Sequence, residues 1–227
     1  MVDFLIDGNW VAATGGARRQ IHCPADGALV AEVDEGTAAD AEAAITAARR
    51  AFDTGAWPRT PAGERGDLLL AVADLLERDK AEYARAESLD TGKRLVESEY
   101  DIDDVISCFR YFGGLADTVA GRVVDAGDPD VLSIVVTEPV GVCSLITPWN
   151  YPLLQVSWKV SPALAAGNTV VLKPSELTPS TAMLLMRTLT EAGLPDGVAN
   201  LVLGTGSEVG ARLAEHPDVD LVSFTGG

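Results

Sequence analysis

Val140-Gly141-Val142-Cys143-Ser144-Leu145-Ile146, running into Thr147-Pro148-Trp149-Asn150-Tyr151-Pro152, sets the architecture. A short apolar run closed by a proline-bounded turn reads as a strand buried on both faces. A helix over about Leu153–Ala166 follows, then a strand at Thr169–Leu172, a helix at Pro179–Ala192, a strand at Val198–Leu203, a helix at Ser207–Glu215 and a strand at Leu221–Phe224. Strands alternating with helices predict an α/β fold, an open parallel sheet with flanking helices and right-handed crossovers. Such sheets bind ligands beyond the carboxyl ends of their strands, so the residues after each strand are where chemistry is expected.

Four turns lie there. After the first strand, two prolines fix the backbone, Trp149 offers a flat apolar face and Asn150 offers two N–H donors. An Asx-type turn leading into a helix is the plainer explanation of the same residues. After the second strand come Lys173-Pro174-Ser175-Glu176. A lysine there can meet phosphate or sugar oxygens, and a carboxylate can accept from ribose hydroxyls. A surface salt bridge explains Lys173 poorly. After the third strand, Gly204-Thr205-Gly206-Ser207-Glu208-Val209-Gly210 opens a helix, and such a turn lets backbone approach a pyrophosphate. The pattern is G-x-G-x-x-x-G, so its force comes from its position between strand and helix. After the fourth strand come Thr225-Gly226-Gly227.

Working back toward the N-terminus, Phe4-Leu5-Ile6 and Trp10-Val11 flank Asp7-Gly8-Asn9 as a hairpin, and Gln20–Cys23 with Leu29–Val33 form a second hairpin around Pro24–Gly27. Amphipathic helices are predicted over Asp40–Phe52, Pro61–Arg78, Lys80–Leu89 and Glu97–Val119, with Thr37 and Asp40 as a cap pair at the first. Gly121–Pro129 is a turn-rich boundary, followed by a β-branched strand at Val131–Thr137. The expected divisions are 1–119, hairpins and helices; 120–139, a protruding strand segment; and 140–227, the dinucleotide-binding part.

The chain has 227 residues, 47% hydrophobic and 22% charged, within the range of globular domains. Its net charge of −17, spread along the chain, argues against nucleic acid and anionic membrane as partners. The three cysteines and two histidines are scattered, which argues against a zinc site or disulfide framework. Free thiols, with neither a signal-like N-terminus nor a bilayer-length apolar run, predict a cytoplasmic location.

Together, Ile146–Pro152, Pro162-Ala163-Leu164-Ala165-Ala166-Gly167-Asn168, Leu172–Glu176 and Phe224–Gly227, four blocks in order at strand–turn–helix positions, resemble the aldehyde dehydrogenase superfamily. Asp90-Thr91-Gly92-Lys93 also matches. Phe109–Ala116 and the Thr-Gly-Gly ending look most like the betaine-aldehyde and aminoaldehyde dehydrogenases. The resemblance runs over the whole chain and corresponds to the N-terminal portion of a family member.

The resemblance implies roles by position. Asn150 would donate its amide to the oxyanion of a thiohemiacetal; losing one such donor costs about 3–4 kcal/mol in the transition state. Lys159 matches a proton-relay lysine, with a solvated helix lysine as the alternative. Ile146, Thr147, Pro148, Trp149, Ser175, Phe224, Thr225 and Gly226 would line the cofactor site, with Gly206, Gly210 and Gly227 against the cofactor. Lys173 and Glu176 would hold the adenosine ribose, so NAD is expected over NADP. Ile21, His22, Asp90 and Leu177 would surround a monovalent cation such as K+, and the 120–139 segment resembles oligomerisation strands, implying a homo-oligomer.

The implied parent reaction is NAD-dependent oxidation of an aldehyde, a betaine aldehyde or aminoaldehyde, to its acid. In the family a cysteine thiolate attacks and a glutamate activates water; both follow the last motif, and Cys23, Cys108 and Cys143 read as core residues instead. The chain alone is therefore expected to be a truncated form without turnover. The alternative is a non-catalytic dinucleotide-binding module, or half of a split enzyme with a separately encoded C-terminal half.

Overall fold

The computed structural model describes residues 3–226. In chain order the elements are β1 (Phe4–Ile6), β2 (Asn9–Val11), β3 (Arg18–His22), β4 (Leu29–Asp34), α1 (Ala38–Asp53), α2 (Ala62–Arg78), α3 (Lys80–Thr91) and α4 (Leu95–Leu115). They continue with β5 (Arg122–Val124), β6 (Ser133–Val135), β7 (Val142–Ile146), α5 (Pro152–Ala165), β8 (Thr169–Lys173), α6 (Ser180–Glu191), β9 (Ala199–Leu201), α7 (Ala211–Glu215) and β10 (Leu221–Phe224).

The main sheet has six strands in the order β10-β7-β8-β9-β1-β2. β7 to β10 pair in parallel, as expected. β7 and β8 are buried along their whole length, which explains their uninterrupted apolar character. The sheet is mixed rather than purely parallel, because the first hairpin does not stand apart. β1 pairs antiparallel with β9 at Leu5↔Leu201 and with β2. Phe4 and Leu5 are buried there, so the hairpin closes an edge of β9 that would otherwise leave backbone groups unpaired.

β7, β8 and β9 step outward in one direction, and β10 returns to the far side of β7. Right-handed crossovers then put α5 and α6 on one face and α7 on the other, with α1 packed beside α7. α2, α3 and α4 form a further layer over α5 and α6. α2 and α4 cross very closely: a Cβ on Gly66 would stand 2.5 Å from the Gly113 carbonyl oxygen, so only glycine fits that crossing. α1 begins as predicted, with the Asp40 carboxylate accepting from the Thr37 N–H at 2.8 Å.

Three boundaries differ from expectation. α4 ends at Leu115, not Val119. The Val131–Thr137 strand shrinks to β6, which pairs with β5 as an isolated exposed hairpin, with no layer beside it to sustain a longer ladder. The expected helix at Ser207–Glu215 divides into a π-turn over Gly206–Gly210 and the five-residue α7; π-turns recur at functional sites.

Candidate functional site

The strand order reverses between β7 and β10, so their carboxyl ends frame the crevice where an open α/β sheet binds ligands. Parallel pairing sets Ile146 beside Phe224, and the Thr225 N–H donates to the Ile146 carbonyl at 3.1 Å. The sheet thereby gathers the turn after β7 and the turn after β10 at one place. Ile146 and Thr147 are buried at its floor; Pro148 is half-buried, and Trp149 and Asn150 are exposed at its rim. The Thr147 hydroxyl is buried without a partner among the described residues. Phe224 and Gly226 are exposed and Thr225 is half-buried, whereas Gly227 lies outside the described residues.

Asn150 keeps its side-chain amide free of partners among the described residues; its carbonyl is what the chain grips. Lys93 Nζ donates to that carbonyl at 3.4 Å, stands 4.4 Å from the centre of the Tyr151 ring and is 2.6 Å from Asp101 Oδ2. It also lies 3.9 Å from the fully buried Glu87. Asp101 supplies the negative charge that lets a lysine sit at only 14% side-chain exposure. Lys93 therefore ties α3 and α4 to the Trp149-Asn150-Tyr151 turn. Replacing it with methionine should cost about 2 kcal/mol of stability, the value of hydrogen bonds to a charged group. It should also raise collisional quenching of Trp149 fluorescence relative to buried Trp57. Unchanged quenching with intact stability would show that Lys93 does not hold the turn.

The same turn opens on a cleft of about 470 Å³ lined by Thr91, Lys93, Glu97, Tyr100, Asp101 and Asn150, among others. Tyr151, the residue before α5, and Trp158, on α5, are 47% and 53% exposed. Neither these aromatics nor Lys93 and Glu87 were assigned a role from sequence. The convergence of Lys93 gave no readable signal, since it joins residues 57 apart.

Lys159 lies on α5 and donates to the Ser223 hydroxyl on β10 at 2.9 Å, with its amine lowered by burial. It spans helix and sheet and is half-buried.

Lys173 is 2% exposed at the end of β8, and burial lowers its amine. Its Nζ donates to the Pro174 carbonyl at 2.9 Å and stands 3.5 Å from Glu176 Oε2. Gly210 packs on its stem, its absent Cβ falling 3.6 Å from Lys173 Cδ. Glu176 is half-exposed at the mouth, whereas Ser175 is buried and accepts from the Leu177 N–H at 3.2 Å, a local turn bond. Nothing lies within 4 Å of where a Cβ would stand on Gly206, so its backbone is open to approach. An open glycine turn, a half-exposed carboxylate and an apolar floor are groups of the kind a dinucleotide needs. The five-residue α7 contributes little dipole to this, contrary to the longer helix expected from sequence.

The residues expected around a monovalent cation lie on β3, on α3 and in the loop before α6. Both Asp90 oxygens accept from Ser180, from its N–H and its hydroxyl, each at 2.8 Å, so Asp90 caps α6. The His22 ring faces the Gly27 carbonyl at 3.1 Å and the Gln20 side chain at 3.3 Å. Ile21 is buried and Leu177 exposed. Among the described residues no group of three or more His, Cys, Asp or Glu side chains could hold a metal.

The cysteines stand away from the site's chemistry. Cys23 and Cys143 are buried, and burial pushes the Cys143 thiol up to about 11. Cys108 faces the Ser161 hydroxyl at 3.3 Å. No helix among the described residues is long and apolar enough to cross a membrane.

Comparison with known proteins agrees with this geometry. Residues 10–227 match the aldehyde dehydrogenase family. The chain is 53% identical over 222 residues to the betaine aldehyde dehydrogenase of Bacillus subtilis (strain 168), covering 98% of this chain and 45% of that protein. It is 44% identical over 223 residues to the retinaldehyde dehydrogenase 3 of Rattus norvegicus, covering 97% of this chain and 43% of that protein. The crystal structure of betaine aldehyde dehydrogenase from Staphylococcus aureus in complex with NAD+ superposes with a TM-score of 0.98 at 49% identity, over 100% of this chain and 45% of that one. The chain thus spans a little under half the length of these relatives. With the strand order, the four turns and the sequence match in agreement, the chain belongs to the aldehyde dehydrogenase family.

Proposed function

We propose that the chain forms the dinucleotide-binding part of an NAD-dependent aldehyde dehydrogenase acting on a betaine aldehyde or aminoaldehyde. The observation that carries this is the set of turns at the carboxyl ends of the parallel strands, where the Asn150 amide after β7 is free of partners among the described residues and the Lys173–Glu176 pair follows β8. The NAD+-bound relative at 49% identity supports the cofactor. When bound, NAD accepts the hydride that leaves the aldehyde carbon.

The chain's own residues then have four tasks. Glu176 accepts from the adenosine ribose hydroxyls, anchored from below by Lys173, and a carboxylate there disfavours a 2′-phosphate. Ile146, Thr147, Pro148 and Trp149, with Phe224, Thr225 and Gly226, wall the crevice, and Gly206 and Gly210 let the cofactor approach the backbone. Asn150 donates its amide N–H to the oxygen that gains charge as the aldehyde is attacked, a preorganised donor that costs no reorganisation at that moment. Lys159, held on Ser223 and lowered by burial, moves protons out of the site. Tyr151 and Trp158 present ring faces suited to a quaternary or primary ammonium group, worth about 0.5–2 kcal/mol each.

The nucleophile is not among the chain's own three cysteines, so binding without turnover is expected of the chain by itself. Its exposed β5–β6 hairpin, with Val123 at 73% and Ile134 at 56% exposure, is the surface for a second copy. Calorimetric titration with NAD tests the central reading. Saturable binding at one site per chain, abolished in Glu176→Ala, is expected; a folded chain that takes up no NAD would overturn it.

A further inference from the structure

The second hairpin reaches the turns after β8 and β9. Along β3, Arg19 shares the inward side with Ile21, which is 2% exposed. Its guanidinium is clamped by Glu35, just past β4, through Nε–Oε2 at 2.5 Å and Nη2–Oε1 at 2.8 Å. Arg19 and Glu35 line one small crevice with Glu176, Pro179, Leu203 and Gly204. The charges of this crevice act on one another. Arg19 is raised first by its bond to Glu35, with Glu176 adding to it. Lys173 is lowered first by burial, raised by Glu176 and Glu35, and lowered again by Arg19.

We infer that the Arg19–Glu35 pair is a specificity device, setting the preference for a free adenosine 2′-hydroxyl over a 2′-phosphate. The inference rests on the NAD-site reading above. Four charges meet here: Arg19 and Lys173 positive, Glu35 and Glu176 negative, summing to zero. A dianionic 2′-phosphate arriving at Glu176 finds no uncompensated cation, because the Arg19 guanidinium is paired with the Glu35 carboxylate through its Nε–Nη2 edge. A neutral hydroxyl finds Glu176 as an acceptor. Remove the charge of Glu35 and the crevice becomes net positive. Arg19 is then free to bind a phosphate in the geometry guanidinium favours, or to turn onto Glu176 and withdraw it from the ribose. Either outcome moves preference toward the phosphorylated cofactor.

The test is calorimetric titration of the full chain, wild type, Glu35→Gln and the double variant Arg19→Gln/Glu35→Gln, with NAD and NADP. The NADP-to-NAD affinity ratio should rise about tenfold or more in Glu35→Gln, on the scale of one unit charge at partly screened range. It should fall back to within about threefold of wild type in the double variant, since the coupling runs through Arg19. A wild-type chain that binds NAD normally while Glu35→Gln leaves the ratio unmoved overturns the inference and leaves the cofactor reading intact. A ratio raised equally in the double variant also overturns it, because Arg19 would then play no part. Absence of NAD binding in a folded wild-type chain overturns the site reading, and this inference with it.

Discussion

Gly204→Ala is expected to destabilise the chain by about 4 kcal/mol and to remove NAD binding, combining backbone strain of about 1–3 kcal/mol with overpacking of similar size. Gly204 opens the turn after β9 with φ of +146°, a conformation side chains rarely adopt, and an added Cβ would stand 2.5 Å from Val209 Cγ2. Val209 is wholly buried in the core and cannot yield without shifting the π-turn. That turn carries Gly206 and packs Gly210 on Lys173, so the damage passes to the proposed cofactor contacts. Gly206→Ala is the informative companion. It meets nothing within 4 Å, so stability should change by less than about 1 kcal/mol while NAD affinity falls, because the added methyl occupies the approach. Urea denaturation and calorimetry separate the two. If Gly206→Ala binds NAD as tightly as wild type, the glycine turn does not face the cofactor.

The Glu87 contribution to stability should be lost as pH rises from about 4.5 to about 7, and Glu87→Gln should remove that loss. Glu87 is wholly buried on α3, and desolvation pushes its carboxyl from 4.5 up to about 7, against opposing bonds from Thr181 and Leu153 and the charge of Lys93. In the unfolded chain it ionises near its ordinary value. Between 4.5 and about 7 the folded chain therefore retains a proton that the unfolded chain has released, and each rise in pH favours unfolding. At 1.36 kcal/mol per unit, the contribution lost across that range is about 3 kcal/mol. Asp90, pushed by burial from 3.8 up to about 6, adds to the slope in the same direction. Glutamine keeps an acceptor for the Thr181 hydroxyl, bonded at 2.9 Å, and removes the titration. Comparing the two chains cancels the histidines, which both retain. Urea midpoints at pH 5, 6, 7 and 8 check this; equal slopes for wild type and Glu87→Gln would show that Glu87 ionises without cost in the fold.

Both predictions turn on residues whose importance was unevenly readable. Gly204 stood out in sequence as part of a glycine turn between strand and helix, because glycine spacing and the change of hydrophobic period are local properties. The strands β7, β8 and β10 and the cap pair Thr37–Asp40 were legible for the same reason. Asn150, Lys173 and Glu176 could be singled out because the carboxyl ends of parallel strands are the one place where this architecture collects function.

Glu87, Lys93, Arg19 and Glu35 could not be found that way, since each acts through a partner far along the chain. Glu87 meets Thr181 across 94 residues and Lys93 meets Asn150 across 57. Asp90, expected beside a cation, also bonds the first turn of α6 through Ser180, 90 residues on. The sequence by itself determined the α/β order, the turns that carry chemistry and the family. Tertiary structure alone decided that the N-terminal hairpin closes the sheet beside β9, that Lys93 bonds the Asn150 turn and that Arg19 pairs with Glu35 near Glu176. Hydrophobic period and turn chemistry are written within a few residues, whereas the environment of a buried charge depends on every element packed around it.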